Sequence, residues 1–201
     1  ALHGDNVVLG SEKAPWYQGG PLLHHLENVT IEGDRNLIDL RFPVQLVTRP
    51  NRDYRGFAGT LASGVLRIGD EVVSMPSGRR SRVKAIDTWD GPLEEARAGD
   101  AVTAVLEDEI DASRGDMLVR PGNSPRVAHE LEAMLVWMSE EPMEVGREYL
   151  IKHTTRTVPG RFVGVRYAID MGTLHQAAAA RLALNDVGRC ELEVAPALLV
   201  D

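Results

Sequence analysis

A chain of 201 residues, 43% of them apolar, has room for one large domain or two small ones with ordinary cores. Its 22 basic and 30 acidic side chains leave a formal charge of −8, without the broad positive field of a nucleic-acid binder. A single cysteine, Cys190, excludes an internal disulfide and argues against a structural zinc site. Nothing approaches the roughly 20 consecutive apolar residues of a membrane span, and no charged leader opens the chain, so the simplest expectation is a cytoplasmic protein. Opening at Ala1 rather than a methionine, it also reads as a piece of something longer.

Residues 1–39 differ in character from the rest of the chain. Ala1 to Val8 is a short loop with strand-like remnants, and Ala14 to Pro21 is rich in Pro and Gly. Leu22 to Val29 is a short helix candidate, with Pro21 well placed at its first turn. Glu32 to Asn36 is a polar linker. From about residue 40 the pattern changes to short alternating apolar runs: 42–47, 57–61, 71–75, 81–89, 101–106 and 117–119. Turn signals separate them at Ser63-Gly64, Gly69-Asp70, Ala98-Gly99-Asp100 and Arg114-Gly115-Asp116. Period-two patterning broken this often predicts antiparallel strands in a closed barrel or sandwich. Pro121 to Pro125 then marks a boundary.

Beyond it, Val127 to Met138 has helix propensity throughout, yet the abrupt stop at Ser139 to Pro142 and the β-rich runs after it favour a strand. Those runs are 148–152, 161–169 and 188–194, while Thr173 to Leu184 is the best helix candidate in this half. The expected fold is all-β, two consecutive β-barrels at 40–122 and 125–201 behind a short helical and linker segment at 1–39.

Catalytic signatures are scarce. There is no Gly-x-x-x-x-Gly-Lys-Ser/Thr loop to cradle phosphates, and no Asp-x-x-Gly or Asn-Lys-x-Asp element. His24 and His25 are adjacent and would point about 100° apart on a helix, so they cannot converge on one metal. Cys190 shares a strand face with Leu192 and Val194 and reads as a buried small hydrophobe. The acidic run 107–111 lacks calcium-loop spacing and reads as a solvated turn. Tyr54, Phe57 and Trp89 read as barrel core or rim. Two basic clusters stand out, Arg49/Arg52/Arg55 and Arg79/Arg80/Arg82/Lys84. Solvated surface charge is the bland reading of both; the sharper one makes Arg49, Arg52 and Arg55 an interdomain or partner face.

The wording of 49–64, Arg-Pro-Asn-Arg-Asp-Tyr-Arg-Gly-Phe-Ala-Gly-Thr-Leu-Ala-Ser-Gly, resembles the β-barrel that comes after the nucleotide-binding domain in translation-factor-type GTPases. More narrowly it is similar to the GTPase subunit of bacterial sulfate adenylyltransferase. Ala1-Leu2 with Gly4-Asp5-Asn6, Trp16-Tyr17, Leu22-Leu23, Arg166 to Asp170 and Leu198 to Asp201 extend the likeness along nearly the whole chain. The resemblance implies that 1–39 is the tail of a GTPase domain, with Ala1 and Leu2 a remnant of its guanine-contacting loop. It implies GTP and Mg2+ as cofactors of the parent protein, bound outside these residues, and no catalytic residue or metal ligand within them. It implies as partners the catalytic subunit that makes adenosine 5′-phosphosulfate, the protein's own GTPase domain and, in one form of the family, a fused adenylylsulfate kinase. No nucleic acid and no membrane are expected. An elongation-factor-like, tRNA-binding pair of domains and an autonomous ligand-binding barrel remain as alternatives. The negative charge weighs against the first, and the 1–6 and 15–21 segments against the second.

Overall fold

The computed structural model describes residues 3–13, 16–29 and 36–201. The chain divides into two compact units, Ala1–Arg35 and Asn36–Asp201. In the first, Pro21 stands immediately before helix α1 (Leu22–Asn28), as its fixed φ favours, and the helix ends where Val29 turns extended. Leu22 and Leu23 donate their free first-turn N–H groups to the carbonyls of Asn6 and Val7. No residue of α1 is buried.

The second unit is all-β. Its first part holds β1 (Arg41–Thr48), β2 (Gly56–Thr60), β3 (Val65–Arg67), β4 (Glu71–Met75), β5 (Arg79–Thr88), β6 (Gly91–Leu93), β7 (Glu95–Arg97), β8 (Ala101–Leu106) and β9 (Met117–Val119). Hydrogen bonding runs β4-β9-β1-β2-β8-β5-β6, and a further β4–β5 pairing closes the path into a ring. Closure removes the open edges a sheet of this kind would otherwise expose. The inward side chains of the alternating runs, among them Phe42, Phe57, Leu61, Val72, Ile86 and Leu118, form one core. The β3–β7 ladder adds Leu66 and Ala96 to it.

The remaining strands are β10 (Arg126–Val136), β11 (Glu148–His153), β12 (Arg156–Ile169), β13 (Gln176–Ala177) and β14 (Val187–Val200). They pair as β10-β14-β12-β11 with β13 attached to β12. Helix-friendly composition did not make 127–138 a helix: alternation turns Leu131, Ala133 and Leu135 toward the core and leaves Glu130, Glu132 and Met134 exposed. Tertiary burial overrides intrinsic propensity here. Cys190 is fully buried beside Phe162, Leu182 and Leu192. Trp137, Tyr149 and Phe162 meet edge to face with ring centroids 5.2–6.1 Å apart.

One expected element is absent. Thr173 to Leu184 forms no helix; it is a tight turn, the short β13 and irregular chain. Asp170 Oδ1 accepts from the backbone of Gly172 and Thr173 and from the Thr173 hydroxyl, a local bonding pattern that competes with a helical turn. Leu174 comes next at φ 60°, outside any right-handed helix, and Leu182 is drawn into the sheet core instead.

Candidate docking surface

The three arginines singled out in the sequence do not act together. Arg49 and Arg52 lie in the β1–β2 loop, exposed, with no ion-pair partner among the described residues. Arg55 folds back instead. Its guanidinium stands 5.4 Å from the Phe57 ring and pairs with Asp111 at 3.6 Å, leaving the side chain only 16% exposed. Its Nε is buried without an acceptor. Arg55 therefore braces the loop, and Arg49 and Arg52 are what the loop presents. Ala1 and Leu2 lie outside the described residues. The second basic cluster is mixed: Arg80 pairs with Glu71, whereas Lys84 stays solvated.

Beneath that loop, the Tyr54 hydroxyl donates to Asp87 Oδ2 at 2.8 Å, tying the loop to β5. Burial and the neighbouring carboxylate together push the phenol up to about 12. Past Asp87, Trp89 is no core residue: of the two expected places it takes the rim, fully exposed at the β5–β6 turn.

A site that sequence reasoning missed joins the two sheets. Arg41 opens β1 in an otherwise apolar run and is buried. Its Nη1 donates to the carbonyls of Leu40 and Asn123 and to Asn123 Oδ1, while Nε and Nη2 fork onto the Asp201 carboxylate at 3.0 and 2.5 Å. Asn123 passes the connection on, donating to Asp39 Oδ1 at 2.6 Å. Hydrogen bonds from Asn36 and Asn123, aided by the Arg41 charge, hold the Asp39 carboxyl below the usual carboxylate range. Around this network Val73, Met117 and Val119 of the first sheet pack on Leu199 of β14. Arg114 reaches the Thr155 carbonyl across the same junction at 3.2 Å. No local motif announces this site, because Arg41 and Asp201 are 160 positions apart.

The outer face of the second sheet carries a lattice of ion pairs: Arg166 with Glu132 and Glu191, Arg189 with Glu132, and Arg161 with Glu193. These charges are mutually satisfied at the surface and leave little free charge to attract a ligand. A cleft of about 1240 Å³ opens on the same sheet, lined by apolar residues such as Leu131, Leu135, Ile151 and Phe162 and also by the ion-paired Glu132, Arg166, Arg189, Glu191 and Glu193. Outside it, burial pushes the Cys190 thiol up, away from the reactive thiolate. No group of His, Cys, Asp and Glu among the described residues could hold a metal ion.

Residues 130–201 match the family model described as GTP-eEF1A C-terminal domain-like. The bifunctional enzyme CysN/CysC of Rhodopirellula baltica is 55% identical over 194 residues, covering 96% of this chain and 30% of that protein. Sulfate adenylyltransferase subunit 1 of Bacteroides fragilis is 49% identical, over all of this chain and 42% of that protein. The chain is homologous along its length to part of sulfate adenylyltransferase subunit 1. Among solved structures, sup35 complexed with GDP superposes with a TM-score of 0.73 at 19% identity, covering 99% of this chain and 50% of that one. The elongation factor SelB of Methanococcus maripaludis gives 0.65 at 18% identity, covering 90% and 39%. These structures share the fold. The chain spans well under half the length of its sequence relatives, and both the bifunctional enzyme and the separate subunit are among them.

Proposed function

We propose that this chain is the non-catalytic, two-sheet adaptor of the GTPase subunit of sulfate adenylyltransferase. It would be organised as a GTPase-domain tail at 1–39, one β-domain at 40–122 and a second at 125–201. In the whole protein, GTP with Mg2+ would be bound and hydrolysed by the preceding domain. That hydrolysis would drive an uphill reaction on the catalytic subunit, the formation of adenosine 5′-phosphosulfate and pyrophosphate from ATP and sulfate. The adaptor's task would be to carry a nucleotide-dependent rotation of the GTPase domain into contacts with that subunit. A cytoplasmic location accords with this role, and no helix among the described residues is long and apolar enough to cross a membrane.

The observation that carries this reading is the Arg41–Asn123–Asp201 network with its apolar seam, which supports treating the two sheets as one lever. A lever transmits motion only if its parts keep their mutual orientation.

The test is co-purification of the full-length protein with the sulfate adenylyltransferase catalytic subunit, and then adenosine 5′-phosphosulfate synthesis with and without GTP. A stable complex whose synthesis rises with GTP is expected. Failure to associate, or synthesis indifferent to GTP, would overturn the reading.

A further inference from the structure

No further inference is drawn: the strongest candidate, the apolar end of the second sheet's outer face, where Val136 of β10, Val187 of β14 and Ile169 of β12 lie in one row beside the exposed Met134 and Met138, carries none, because nothing in the structure shows what covers it.

Discussion

At the scale of single residues, identical letters have opposite fates. Arg49, Arg52 and Arg55 form one cluster in the sequence, but Arg55 is spent on Phe57 and Asp111, and among the described residues the other two have no ion-pair partner. Burial, a property of neighbours distant in sequence, decides between them, which is why the cluster was legible and its division was not. Tyr54 shows the same dependence, since its partner Asp87 lies 33 positions away. Its phenol titrates near 10 when unfolded and is pushed up to about 12 when folded. The folded state therefore holds the proton more tightly, and the stability linked to Tyr54 is present below pH 10 and lost between about pH 10 and 12. Replacing Tyr54 by Phe removes the titrating group. The fall in melting temperature between pH 9 and pH 11.5 should be shallower in Y54F than in wild type; equal slopes would show that folding does not raise the Tyr54 phenol.

At the scale of elements, alternation was the readable signal. Strands β1, β4 and β8 stand where period-two runs placed them, β14 begins on one, and Cys190 faces inward with Leu192 as that spacing requires. The alanine-rich stretch after Thr173 misled because propensity is a local quantity, and Asp170 had already committed the chain to a turn. Close backbone approach was equally invisible. A Cβ on Gly59 would lie 2.3 Å from the Pro43 carbonyl oxygen, where β1 and β2 press together beside the Phe42 ring. Backbone cannot swing aside as a flexible side chain can, so G59A should cost about 3 kcal/mol, the upper range for overpacking. By contrast, a Cβ on Gly164 meets only Glu191 Oε2 at 3.9 Å, and G164A should fall within about 0.5 kcal/mol of wild type. Urea denaturation of both decides the matter: equal midpoints would mean that the strands part easily at Gly59.

At the scale of the second unit as a whole, the question is whether two sheets behave as one body. Each has its own core, centred on Phe42, Phe57 and Leu118 in the first and on Phe162, Cys190 and Leu192 in the second. Two cores alone would predict two independent melting events. The Leu199 seam and the Arg41 network oppose that, and the network is the more orientation-specific, because a guanidinium fork fixes direction as well as distance. Arg41 is buried while Asp201 remains largely solvated, so removing the arginine strands few charges. The loss is that of several charge-assisted hydrogen bonds, about 2–3 kcal/mol in all once solvation of Asp201 is allowed for. Lysine keeps the charge but offers its donors from a single point and cannot reach Leu40, Asn123 and Asp201 together, so R41K should resemble R41A more than wild type. In scanning calorimetry the wild-type Asn36–Asp201 unit should melt in one transition, and R41A should lower the midpoint by about 2–4 °C per kcal/mol and broaden or split it. Under the adaptor reading, the same variant in the full-length protein should lose the GTP response of adenosine 5′-phosphosulfate synthesis. An R41A protein that melts like wild type, or that remains fully GTP-responsive with its sheets uncoupled, would show that coupling does not pass through this joint.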